Sequence, residues 1–231
     1  MSESTISVVV PVFNEAARVV EALTALQHVA AWHEIIVVDG GSTDSTVALT
    51  KTVPGCVVID SERGRATQLN AGARQAAGNV FLFLHADVSL PANAREEIDQ
   101  TLGEPAVVGG AFRTWTVPDG PAPKWSWVIH LADLRSRYSR LPYGDQAIFV
   151  TREAFSQSGG YPEQPLFEDL EFGRRLHRIG ATRTVRSSVR VSARRFVARP
   201  IYYFVVMNLL PVLYALGVPT RLLRGWYGDV R

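Results

Sequence analysis

The chain has 231 residues, 47% hydrophobic and 20% charged, enough to bury one sizeable core as a single domain or a domain with an appendage. Its single cysteine, Cys56, excludes an internal disulfide, and no basic, apolar leader precedes Ile6, so the expectation is a cytoplasmic protein. The net charge of +2 conceals an asymmetry: from Leu170 onward twelve arginines face only Glu171 and Asp229, about +10, which leaves about −8 for the remainder.

Ile6 to Val12 is an apolar run that predicts a buried strand. Phe13-Asn14-Glu15 turns it into a helix with Val19, Val20, Leu23 and Leu26 on its apolar face and Asn14 as N-cap. Glu34 to Val38 predicts a second strand. It ends in Asp39-Gly40-Gly41-Ser42-Thr43-Asp44, where paired glycines permit a tight turn and Ser42 and Asp44 can cap the next helix. Cys56 to Asp60 predicts a third strand, and Arg63-Gly64-Arg65-Ala66 leads into a small-residue helix over Thr67 to Ala77, closed by Gly78. Val80 to Asp87 begins with five apolar residues, too few for a helix, which read as a strand buried on both faces. Pro91 opens the next helix. This alternation of strand and helix calls for a parallel sheet.

Ala94 to Leu102 predicts a helix, Val107 to Val117 a bent strand, Trp125 to Tyr138 a helix ending in arginines, and Ala147 to Val150 a short strand. Glu168 opens a helix that closes at Gly180, and Pro165 and Phe167 before it suggest a partly apolar lid. Pro200 to Thr220 carries no charge for 21 residues. Its length would allow a membrane span, which Asn208, Pro211 and Gly217 oppose. A helix packed on the core or on a second subunit, and a helix lying in a membrane interface, remain as alternatives.

In an open α/β sheet ligands sit beyond the carboxyl ends of the strands. No strand is followed by a Gly-x-Gly-x-x-Gly or a Gly-x-x-x-x-Gly-Lys-Ser/Thr loop, which argues against a nicotinamide Rossmann enzyme and a P-loop NTPase. Asn14, Glu15 and Asp39 stand at the first two strand ends, and an aspartate accepts well from a nucleobase N–H or ribose hydroxyls. Arg63 and Arg65, on a turn before a helix, suit phosphates. Asp87, one residue from His85, suits a divalent metal holding a phosphate, or else it caps the helix that follows. Glu168 and Asp169 form either a capping cluster favoured by the helix dipole or the seat of a general base.

Pro11-Val-Phe-Asn-Glu15, Asp39-Gly-Gly-Ser-Thr-Asp44, Arg63-Gly-Arg-Ala66 with Gln68 and Asn70, and His85-Ala-Asp87 resemble, in order and spacing, the nucleotide-sugar half of the family 2 glycosyltransferases. The likeness continues through Gly109-Gly-Ala-Phe112, Tyr143-Gly-Asp-Gln146, Gly159-Gly-Tyr-Pro162 and Glu168-Asp169, and is greatest to a small single-domain bacterial branch. It implies a GT-A fold: a mostly parallel, Rossmann-like sheet flanked by helices, here with a helical C-terminal extension. The division expected is a glycosyltransferase domain over 1–195 and an apolar, basic extension over 196–231.

The resemblance also implies roles. Pro11, Phe13, Glu15, Asp39, Gly41, Arg63, Arg65, Asn70, His85 and Ala86 would bind the donor nucleotide. Asp87 would hold Mn²⁺ or Mg²⁺, Asp145, Gln146 and Glu168 would meet the acceptor, and Asp169 would be the base. His85 departs from the usual Asp-x-Asp motif, and its neutral nitrogen suits Mn²⁺ better than Mg²⁺. The expected activity is inverting, metal-dependent transfer of a sugar from a nucleotide donor to a hydroxyl acceptor. A nucleotidyltransferase and a non-catalytic nucleotide-sugar-binding regulator are the alternatives. The expected partners are the donor, an acceptor that includes lipid-linked alcohols, and either the inner face of the cell membrane or a second copy, with no nucleic acid.

Overall fold

The computed structural model describes residues 4–118, 130, 133, 136, 141–193 and 200–227, with the backbone alone at 200, 201 and 204. Four parallel strands form one half of the sheet: β1 (Ile6–Val12), β2 (Glu34–Asp39), β3 (Cys56–Asp60) and β4 (Val80–Phe83), in the order β3-β2-β1-β4. Helices α1 (Val19–Val29), α2 (Thr46–Thr50) and α3 (Arg65–Gln75) connect them. The sheet then turns mixed. β7 (Ile148–Thr151) runs antiparallel to β4, β6 (Val107–Val117) antiparallel to β7, and β8 (Ala181–Ser192) parallel to β6. The two-residue β5 (Val88–Ser89) closes the far edge.

Period-two alternation along the buried strands supplies both faces of the core. Val8, Val10 and Val12 of β1 join Leu23, Leu26, Phe112 and Phe149, with Ile98 from α4 (Ala94–Leu102). Val9, Ile36, Val38, Phe81 and Phe83 meet Leu69 and Ala73 of α3, Ala154 of α5 (Arg152–Ser158), and Phe172 and Leu176 of α6 (Glu168–Ile179). A third cluster joins Leu166, Phe167 and Leu170 to Val206 and Leu210 of α7 (Pro200–Ala215) and Leu223 of α8 (Thr220–Tyr227).

Several elements depart from the sequence expectations, each for a local reason. Asn14 does not cap α1: it sits at φ 53°, and its side chain accepts from the Thr43 N–H while its own N–H donates to Ser42 Oγ. The helix therefore starts only at Val19. The small-residue helix spans Arg65–Gln75, because Ala76 is already extended and the chain at Gly78 runs close against Thr5 and Ser7 on its way into β4. The strand expected over the five apolar residues 80–84 stops at Phe83, and Val88 N–H bonds the His85 carbonyl at 3.0 Å, so His85 to Asp87 lie on a turn. Ala147 adopts a left-handed conformation, which defers β7 to Ile148.

The helix expected over 125–138 lies outside the described residues except for the helical positions His130, Asp133 and Ser136. The loop before Glu168 is covered rather than open, since Leu166 and Phe167 are buried beneath α7 and α8. Among the described residues no helix is long and apolar enough to cross a membrane. α7 has 16 residues, about 24 Å against the roughly 30 Å of a hydrocarbon core.

A candidate active site at the strand ends

The carboxyl ends of β1 and β4 open into a cavity of about 520 Å³. Pro11, Phe13, Glu15, Arg63, Arg65, His85, Ala86 and Asp87 line one side of it, and Asp145, Glu168 and Asp169 another. The apolar strands make this possible: polar residues just past their ends, Glu15 after β1 and His85 and Asp87 after β4, line the gap.

Asp169 lies at the start of α6 and is buried, although its carboxylate reaches the cavity wall. Its Oδ2 accepts from the Gly144 N–H at 2.5 Å and its Oδ1 from the Leu170 N–H at 2.7 Å. Gly144 belongs to the short 3₁₀ turn Gly144–Gln146. A β-carbon at that position would lie 3.0 Å from His85 Nε2, 3.4 Å from Asp169 Oδ2 and 3.7 Å from Arg65 Nη1. The absent side chain is what lets these three groups converge.

Burial pushes the Asp169 carboxyl up to about 7, and the neighbouring Glu168 charge adds to the rise, while Arg65 and the two backbone donors oppose it. Arg65 Nη1 bonds Glu168 Oε1 at 3.1 Å. Although burial works against its charge, Glu168, Tyr227 and Asp169 hold the Arg65 guanidinium above its ordinary pKa. Arg65, expected to face phosphates, is thus already paired. Arg63 stacks over the Phe13 ring at 4.1 Å, a cation–π contact that fixes its approach to the cavity.

Asp39, Gly41, Asn70 and Gln146 are not among the residues lining this cavity. The Asp39 carboxylate accepts from the Gly41 and Ser42 N–H groups and from Ser42 Oγ, which shapes its own turn. Gly41 is part of that turn, at φ 84°. Asn70 accepts from the Tyr161 N–H and donates to the Tyr161 carbonyl. Gln146 bonds the Phe112 carbonyl and the Tyr143 N–H. All four hold the loops that carry the wall.

The cavity also includes Tyr143, Tyr203, Arg224 and Tyr227, and Thr114, Thr116 and Asp133, of which the last three carried no readable signal in the sequence. Thr116 donates through its N–H and hydroxyl to the buried Asp133 carboxylate at 2.9 and 2.7 Å, a pairing across 17 residues that no periodicity announces.

Among the described residues no three His, Cys, Asp or Glu side chains gather into a metal cage. Hard divalent cations at phosphate-bearing sites take one or two carboxylates and complete their shell with substrate oxygens and water. Asp87, with His85 beside it on the same turn and wall, fits a cation held in that way.

The model of glycosyl transferase family 2 matches residues 7–159. Glycosyltransferase AglE of Haloferax volcanii is 29% identical over 170 residues, which cover 68% of this chain and 56% of that protein. The undecaprenyl-phosphate 4-deoxy-4-formamido-L-arabinose transferase of Pseudomonas fluorescens is 31% identical over 134 residues, 48% of this chain and 38% of that one. The chain thus spans about half or less of these relatives' own lengths. Among solved structures, the mannosyltransferase PcManGT of Pyrobaculum calidifontis, in complex with GDP-Man and Mn²⁺, superposes with a TM-score of 0.68 at 20% identity over 90% of this chain and 61% of that one. The α/β fold expected from the sequence is the one found, a curled central sheet flanked by helices.

Proposed function

The chain belongs to glycosyl transferase family 2, and we propose that it moves a sugar from a nucleotide-sugar donor to a hydroxyl acceptor with inversion, with Asp169 as base. One observation carries this reading: the Asp169 carboxyl stands on the cavity wall with its pKa pushed up to about 7. A general base works best with a pKa near the operating pH. A mere capping carboxylate, stabilised by the helix dipole, would be driven the other way.

The donor nucleotide lies along the ends of β1 and β4, with its diphosphate toward Arg63 and the N-terminal turn of α3. Asp87, with His85, would hold a divalent cation, which would supply neutralisation of the charge that develops on the leaving group. The crystallised neighbour that carries GDP-Man and Mn²⁺ supports both the donor class and the metal. The acceptor hydroxyl approaches from the side of Asp145 and Asp169. Asp169 takes its proton as the acceptor oxygen bonds the anomeric carbon and the bond from that carbon to the phosphate oxygen breaks. A single displacement inverts the anomeric centre. Burial raises the Asp169 pKa, Glu168 adds to the rise, and Arg65, paired with Glu168, restrains it, so that the base is held at a working value.

Incubation with a panel of nucleotide sugars and alcohol acceptors, with Mn²⁺ or Mg²⁺, tests the proposal. The expected products are a nucleoside diphosphate and a glycoside of inverted anomeric configuration by NMR. Pyrophosphate release in place of nucleoside diphosphate would identify nucleotidyl transfer and overturn it.

A further inference from the structure

Helix α7 has two different faces. Tyr203, Val206, Met207, Leu210 and Pro211 line the cavity. Tyr202, Val205, Leu209 and Val212, followed by Leu216 one residue past the helix end, point away from it, 42% to 76% exposed, and at 3.6 residues per turn they fall on one narrow stripe. Leu222 and Trp226 of α8, 66% and 57% exposed, add to the exposed apolar surface. The Tyr202 hydroxyl donates to the Trp226 carbonyl, which couples the two helices. A wall one helix thick therefore separates the cavity from an exposed apolar surface of a kind that monomeric soluble proteins seldom leave bare.

The charge of the C-terminal part of the chain, and of α8 in particular, points to the occupant of this surface. Residues 172–228 contain eleven arginines and no aspartate or glutamate. On α8 itself, exposed Arg221 and Arg224 alternate with Leu222 and Trp226. A symmetric contact with a second copy through this face would bring α8, which carries Arg221 and Arg224 and no acidic residue, against itself. Anionic lipid headgroups complement it, and tryptophan and tyrosine suit the headgroup level.

We infer that α7 and α8 form a docking surface for an anionic lipid bilayer, with the apolar stripe sunk into the boundary between headgroups and acyl chains. The α7 side of the cavity then lies against the membrane. Given the transferase reading above, on which this consequence alone rests, the acceptor hydroxyl belongs to a lipid presented from that bilayer.

The test is co-sedimentation of the full chain with vesicles. Binding is expected to phosphatidylglycerol–phosphatidylcholine vesicles, at least tenfold weaker to phosphatidylcholine alone, and weakened by salt. The triple variant Leu216→Glu/Leu222→Glu/Trp226→Glu should lose binding at least tenfold while its donor-induced thermal shift matches the parent. Arg221→Glu, a single exposed change, should lower anionic-vesicle binding severalfold and guards against misfolding of the triple variant. No vesicle binding by the parent, or equal binding by the variants, overturns the inference. So does a parent dimer that the triple variant turns into a monomer without any vesicle binding. Vesicle binding is read without turnover, so failure of the transferase reading would be seen separately.

Discussion

The Gly144 N–H donates to Asp169 Oδ2 at 2.5 Å, and a β-carbon at 144 would stand 3.0 Å from His85 Nε2. A turn and a helix start 25 residues apart are thereby locked around the end of β4. Gly144→Ala must displace His85 or tilt the turn by a few tenths of an ångström. Misplacement on that scale costs about tenfold or more in kcat, with a Tm within about 4 °C of the parent. Steady-state kinetics beside thermal unfolding check this, and an alanine variant with full kcat would show that the convergence is incidental.

Asp169→Asn keeps the shape of the side chain and removes the base. Transfer should fall by about 10²- to 10⁴-fold, while donor affinity by calorimetry stays within about twofold. Normal turnover in the variant would reduce Asp169 to a helix cap.

The same carboxyl sets a pH dependence. Because the base must be ionised, transfer should rise with pH through about 7 and then level off. Stability runs the other way. The folded pKa of about 7 exceeds the ordinary 3.8, so the native state holds the extra proton between those values. The favourable contribution is complete below the unfolded pKa and is lost as pH rises through the folded one. The Tm of Asp169→Asn should therefore gain on the parent as pH rises and converge with it near the unfolded value. A gap that does not change with pH would contradict the raised pKa.

Two strand-end aspartates should behave differently. Asp87→Ala should abolish the Mn²⁺-dependent part of donor binding with little change in Tm. Asp39→Ala removes the acceptor of three bonds from Gly41 and Ser42 and should cost about 2 kcal/mol or more in stability, weakening the donor only through the loosened turn. Denaturant unfolding and donor titrations on both variants separate the roles. A stable Asp39→Ala protein with a selective donor defect would place Asp39 on the nucleotide after all.

Gly72 tests how α3 is seated. A β-carbon there would come within 2.3 Å of a Val9 methyl and 3.0 Å of a Val38 methyl. Gly72→Ala gains up to about 1 kcal/mol in helix propensity, yet the overpacking should dominate and cost about 1–3 kcal/mol. A midpoint in urea higher than the parent's would show that α3 can shift outward.

The first four strands were legible because each is a nearly unbroken apolar run bounded by turn residues; burial of β1, β2 and β4 on both faces leaves that pattern little freedom, while the edge strand β3 is only half-buried, with Val57 exposed. Val107–Val117 and the helix from Glu168 to Gly180 were equally plain. β8 was not: Thr, Arg and Ser fill its outer positions, and only Val185 and Val189 of its middle are buried, so the stretch has no strand pattern of its own and is defined by its pairing with β6. Asn14 looked like a cap because its chemistry suits one. What put it in the left-handed region is a partner loop 28 or 29 residues away.

The sequence by itself determined the α/β alternation, the family, and which acidic and basic residues stand at strand and helix ends, because hydrophobic periodicity and turn chemistry are local. Only the tertiary structure decided which of them share a cavity. Asp39, Asn70 and Gln146 spend their polar atoms on loop backbones, while Glu168 meets Arg65 across 103 residues and Asp169 acquires its raised pKa. Burial and the field of neighbouring charges depend on the whole packed chain, and no short run of residues encodes them.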